Sequence, residues 1–82
     1  MKVGCSTSCL EELVQLAKRG KIEEREIGDI LSEIVEQVAN ASSYHVVLKG
    51  EGYKWCKIEV RNLLVYFKEK KGERIIIHIK EK

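Results

Sequence analysis

From Tyr53 to Lys80 the chain reads YKWCKIEV, RN, LLVYFKEK, KGE and RIIIHIK, three runs rich in β-branched and aromatic residues separated by two short turn signals. Such a pattern reads as an antiparallel meander, and because side chains alternate faces with period two, the turns decide which residues share a face. A two-residue turn at Arg61 and Asn62 pairs Val60 with Leu63, Ile58 with Val65 and Cys56 with Phe67, a wholly apolar set. The other face then carries Glu59 opposite Leu64, Lys57 opposite Tyr66 and Trp55 opposite Lys68. For the second turn the most economical reading is a three-residue loop, Lys71 to Glu73, with a bulge beside Gly72. Ile75, Ile77 and Ile79 then join the apolar face, and Ile76, His78 and Lys80 join Lys57, Tyr66 and Glu59 on the other.

A chain of 82 residues has room for one domain and one core. It contains no apolar run near the length of a membrane span and no signal-peptide pattern, so a cytoplasmic protein with no membrane partner is expected. The net charge of +2 is unevenly spread. Residues 1–43 hold five Lys/Arg against eight Asp/Glu, whereas residues 44–82 hold ten against five, so the sheet half is the basic half. That asymmetry suits an anionic partner, RNA above all, although a lysine-rich sheet is also protected at its edges by its charges. Twelve glutamates to one aspartate and eleven lysines to four arginines lean towards the usage of thermophiles.

Ahead of the meander, Lys2 to Cys5 has the makings of a short first strand. Ser8 followed by Glu11 is a capping-box pattern, and Leu10, Leu13, Val14 and Ala17 recur at helical spacing until Gly20. A second apolar stripe, Ile27, Ile30, Leu31, Ile34, Val35 and Val38, marks another helix running from Ile22 to about Ala39, or a shorter one capped by Asp29. Tyr44 to Leu48 offers a further short strand before Lys49, Gly50, Glu51 and Gly52 turn the chain. The expected architecture is α+β: a helical hairpin packed on one face of a three- to four-stranded antiparallel sheet, in the order β-α-α-β-β-β. Nothing remains to cover the second face, where Trp55, Tyr66, Ile76 and Leu64 would lie open, and self-association as a homodimer is expected.

The opening KVGCSTSCLEELVQL, the LKG at Leu48 to Gly50 and the following WCKIEVRNLLVYF resemble, in that order, the first strand and helix, the lysine-glycine loop and the paired strands of the RelE/ParE toxin superfamily. The resemblance spans nearly the whole chain. It implies a toxin-type protein with a cognate antitoxin as partner, whose target is messenger RNA on the ribosome in the RelE branch and gyrase in the ParE branch. Lys57 matches a basic position of the family and Lys49 lies in the loop before it, whereas Glu59 stands where a second basic residue is common and Leu64 where the next strand often has an arginine. The family's usual tail, with a further arginine and an aromatic or histidine, is not among these residues. Weak or lost ribonuclease activity is implied.

Lys57, Tyr66 and His78 form one expected row across three strands and are the candidate catalytic residues. A ribonuclease needs a base for the 2′-hydroxyl proton, an acid for the leaving oxygen and cations for the developing phosphorane, and such a row supplies all three. Read structurally, the same row is a polar strip paired across strands. Lys49, Lys54, Trp55, Arg61, Lys68 and Lys80 are the candidate RNA-binding residues, Trp55 as a stacking platform. Trp55 serves equally to anchor a protein contact, so the alternative is a non-catalytic interaction or inhibitor module using the open sheet face. No metal or other cofactor is expected: Cys5, Cys9 and Cys56 make no CxxC pair, His45 and His78 are the only histidines, and no glycine-rich phosphate loop is present. Cys56 belongs to the core, and a disulfide joins Cys5 to Cys9, or one of them to Cys56, if the source is a hyperthermophile.

Overall fold

A computed structural model describes all residues, 1–82. Strand β1 (Lys2–Cys5) leads into helix α1 (Thr7–Lys18), a 3-10 turn (Glu24–Glu26) and helix α2 (Ile27–Asn40). Strands β2 (His45–Gly50), β3 (Tyr53–Val60), β4 (Leu63–Lys70) and β5 (Glu73–Glu81) follow. The fold is α+β, with the helix pair on one face of a single sheet, as expected. The sheet is larger than expected, with five strands in the order β1-β5-β4-β3-β2. It is also mixed rather than antiparallel, because β1 runs parallel to β5. No helix is long and apolar enough to cross a membrane.

Ser6, not Ser8, starts α1: its Oγ accepts from the Cys9 backbone N–H at 3.3 Å and satisfies one orphan donor of the first turn. Cys5 and Cys9 are joined as a disulfide across that turn, and Cys56 is a buried free thiol whose pKa is pushed up by burial. Both helices bury one stripe each, Cys9, Leu13 and Leu16 from α1 and Ile30, Ile34 and Val38 from α2. These pack on Cys56, Val60, Leu63, Val65, Phe67, Ile76 and Ile79 of the sheet.

The β3-β4 register is the expected one, with Val60 opposite Leu63, Ile58 opposite Val65, Lys57 opposite Tyr66 and Trp55 opposite Lys68. The β4-β5 turn is shorter than expected: Lys70 pairs with Glu73, and the two turn residues Lys71 and Gly72 take φ of 44° and 74°. That is a two-residue turn of the type that matches strand twist. The extra residue therefore sits not at the turn but at Ile77, where the register shifts between Tyr66 and Phe67. Downstream of this bulge the expected faces hold, with Tyr66 opposite His78 and Val65 opposite Ile79. Upstream they are exchanged. Ile76 is opposite Phe67 and fully buried, while Ile75 is 36% exposed and Ile77 half-buried, which corrects the assignment of Ile75 and Ile77 to the core.

The exchange also turns Arg74 towards the helices, where it is the one buried charged residue. Its Nε donates to Glu69 Oε1 at 2.7 Å, and Nη1 donates to the carbonyls of Val38 and Ala41 at 2.6 and 2.9 Å, capping the end of α2. The guanidinium lies 5.2 and 5.3 Å from the ring centroids of Phe67 and Tyr44. Large-to-small substitution separates the two registers. Ile76→Ala should cost roughly 2 to 5 kcal/mol as a buried truncation, and Ile75→Ala should cost well under about 1 kcal/mol. Denaturant unfolding of the two variants measures both, and the reverse ranking would restore the three-residue loop.

Candidate functional site

The helix-free face is ordered into rows by backbone pairing. His45 is opposite Lys57, Lys57 opposite Tyr66, and Tyr66 opposite His78, so the three candidate catalytic residues share one row that His45 extends to four strands. Directly opposed side chains lie about 5 Å apart at Cβ. His45 was missed as a member because alternation from the β2-β3 turn sends it to the other face. The bulge at Val47, where the register jumps between Val46 and Leu48, brings it back. Beside this row lies a second one, Leu48, Trp55, Lys68 and Ile75, and on the other side a third, Glu59, Leu64 and Lys80. Glu59 is engaged by Lys82 Nζ at 2.7 Å.

At the β5 end of the central row stands a group that pattern reading did not single out. Glu12 of α1 accepts from the Ile79 backbone N–H at 3.2 Å, meets His78 Nδ1 at 3.2 Å through the same oxygen, and pairs with the Lys80 ammonium through the other. Burial by itself would raise the Glu12 carboxyl, but Lys80, the Ile79 N–H and His78 outweigh it and leave it below the ordinary carboxylate value. No signal in the sequence marks Glu12, since it occupies an ordinary polar position of an amphipathic helix.

The candidate binding residues do not form one surface. Trp55 and Lys68 are on the helix-free face, and the Lys68 ammonium lies 4.7 Å from the centroid of the Tyr53 ring. Lys80 shares that face but is held by Glu12. Lys49 is exposed beside Lys54 on the helix side of the sheet. Lys54 donates to the Tyr44 hydroxyl at 2.6 Å and pairs with Glu69 at 3.1 Å, which ties it into the fold. Arg61, in the β3-β4 turn at φ 56°, forks onto Glu33 of α2 at 3.2 Å and is within 3.9 Å of Glu26.

This layout has counterparts among solved structures. ParE of the chromosomal ParDE toxin-antitoxin system from P. aeruginosa superposes with a TM-score of 0.59 at 19% identity, covering 99% of this chain and 95% of that one. HP0894 from Helicobacter pylori matches at 0.55 and 18% identity over 99% and 93% of the two chains. YafQ of the E. coli DinJ-YafQ toxin-antitoxin complex matches at 0.53 and 10% identity over 98% and 90%. The chain has the RelE/ParE toxin fold. No family model and no curated protein matches it in sequence.

In this RelE/ParE fold the helix side of the sheet is closed at the hairpin-turn end by the Arg74, Glu69, Lys54 and Tyr44 cluster. Burial would raise the Glu69 carboxyl; hydrogen bonds from Arg74 and Lys54 outweigh it and hold it below the ordinary value of 4.5. Glu12 is lowered in the same sense. In the unfolded chain both carboxyls bind protons more readily, so their contribution to stability is complete above about pH 5 and is lost as pH falls below 4.5 through the lowered folded values. Glu69→Gln should flatten this acid limb, measured as thermal midpoints from pH 3 to about 7. Arg74→Met should cost roughly 3 kcal/mol at neutral pH, because it leaves the partly buried Glu69 carboxylate with Lys54 alone and strips two helix carbonyls of their donor. An unchanged acid limb in Glu69→Gln would show that the cluster does not set it.

Proposed function

We propose that the chain is the toxin-type member of a toxin-antitoxin pair, that its helix-free face meets messenger or ribosomal RNA, and that it cleaves RNA weakly or not at all. The observation that carries this reading is the central row itself, Lys57, Tyr66 and His78 aligned on the face opposite the core, which α1 reaches only at its β5 end through Glu12. Support also comes from the fold, whose solved counterparts include toxins held in complexes with antitoxins, and from the excess of ten Lys/Arg over five Asp/Glu in residues 44–82. Lys57 has no carboxylate partner, and its charge is available to a phosphate. Trp55 and Tyr66 offer faces on which unpaired bases stack.

Weak chemistry follows from the neighbouring row. A phosphorane needs cations around its equatorial oxygens, and there the face supplies Leu64, the carboxylate of Glu59 and a Lys80 whose ammonium is taken up by Glu12. A cognate antitoxin has an apolar place to dock on the exposed edge strand β2, where Val46, Val47 and Leu48 are 43 to 52% exposed. The same edge supports the second reading, a protein-docking module or homodimer without nuclease activity.

Salt separates the readings. Retention of single-stranded RNA by the purified protein should weaken with a log-log slope of about −3, the value for roughly four phosphate contacts. Apolar docking would hardly respond to salt. Any measurable cleavage should fall by roughly a hundredfold or more in His78→Ala, with the thermal midpoint nearly unchanged because the ring is half-exposed. Absence of RNA retention at low salt would sink the RNA reading.

A further inference from the structure

Strand β1 leaves β5 before β5 ends. Their last pair is Cys5 with Ile76, after which the Ser6 N–H donates to the Ile76 carbonyl at 3.0 Å and the Ser6 hydroxyl to the Ile77 carbonyl at 3.4 Å. Beyond that point the vacated edge of β5 faces α1, and Glu12 stands in for the missing strand by accepting from the Ile79 N–H. That same oxygen also constrains His78. An ionised carboxylate has no proton and only accepts, so the 3.2 Å contact between Glu12 Oε1 and His78 Nδ1 requires the hydrogen to be on Nδ1. In the neutral ring the free lone pair is then on Nε2, the ring edge away from Glu12.

We infer that Glu12 is a positioning residue for His78, locking the Nδ1–H tautomer so that Nε2 is the proton acceptor that the central row presents to a ribose 2′-hydroxyl. The inference rests on the RNA reading for its substrate but not for its geometry. In the step it serves, Nε2 takes the 2′-hydroxyl proton as the 2′-oxygen bonds to phosphorus. The bond from phosphorus to the 5′-oxygen breaks, and that oxygen takes a proton from the Tyr66 hydroxyl, which solvent restores. A 2′,3′-cyclic phosphate and a 5′-hydroxyl result, with no co-reactant.

The surroundings of the pair are specific. Lys80 approaches the second Glu12 oxygen from β5 and Tyr66 is opposite His78 on β4. Ser8, Glu11 and Gln15 of α1, Arg19 just past its end and Glu81 of β5 line the cleft of about 600 Å³ onto which Glu12 and His78 open. Lys80 holds the carboxylate in its charged form, and the Ile79 N–H fixes where its first oxygen sits. His78 keeps a side chain 44% exposed, so the ring is reachable while its Nδ1 edge is occupied.

Long-range nitrogen-proton correlation of the two histidine rings at a pH where both are neutral reads the tautomer directly, and His45, which has no carboxylate partner, is the internal reference. His78 should show the Nδ1–H form in the native protein and revert in Glu12→Ala, which removes the acceptor, to the Nε2–H form that an unconstrained imidazole prefers. His45 should be the same in both. Lys80→Gln should keep the His78 tautomer. If the protein cleaves RNA, Glu12→Ala should lower kcat roughly a hundredfold with RNA affinity unchanged. An Nε2–H tautomer at His78 in the native protein overturns the inference, whether or not Glu12→Ala folds, and so does an unchanged tautomer in a folded Glu12→Ala. A locked tautomer in a protein that cleaves no RNA supports the positioning and overturns the substrate reading alone.

Discussion

Strand β5 has to satisfy two requirements that a regular strand cannot meet together. Near its start, the short Lys71-Gly72 turn fixes pairing so that Arg74 and Ile76 point to the helices. Near its end, Ile79 must point the same way to complete the core, and from Ile76 to Ile79 is an odd number of steps. Alternation forbids this, and the bulge at Ile77 resolves it by inserting one unpaired residue. Everything else on the strand depends on that residue, including the appearance of His78 opposite Tyr66 on the helix-free face.

Two carboxylates then fasten the helix layer to β5 from either end. Glu69 receives Arg74, which in turn caps the final carbonyls of α2. Glu12 projects from α1 onto the Ile79 N–H, His78 and Lys80. Each is partly buried, each is surrounded by donors, and each is held ionised by them against the cost of burial. Acid should therefore loosen both attachments together. The difference is in what they touch: Glu69 reaches no row of the open face, whereas Glu12 bonds directly to one.

The helix-free face is largely separate from the core, which leaves it free to carry chemistry. Its cations are nevertheless not all available. Lys80 is paired with Glu12 and Lys68 rests on Tyr53, while Arg61 and Lys54 belong to the joints between sheet and helices rather than to the face. At the centre of the row, between His45 and Tyr66, Lys57 has no carboxylate partner. On the RNA reading proposed above, a surface with one central cation and a neighbouring apolar Leu64 would hold RNA better than it would cut it.

Local pattern was sufficient for the α+β class, for the two amphipathic helices and for the β3-β4 hairpin, whose seven pairs follow from alternation and a two-residue turn. The same rule put Lys57, Tyr66 and His78 in one row, and pairing bears that alignment out. It failed where an extra residue had to be placed. The composition of RIIIHIK is nearly uniform, so shifting the bulge from the turn to Ile77 changes no local preference; only the fit of Arg74 between Glu69 and the end of α2 distinguishes the two positions. Val47 hid His45 for the same reason. Parallel pairing of β1 with β5, and the reach of Glu12 to His78 across 66 positions of sequence, lie beyond any local rule. Periodicity reports which side of an element is apolar, while a contact between distant elements is decided by how those sides are stacked.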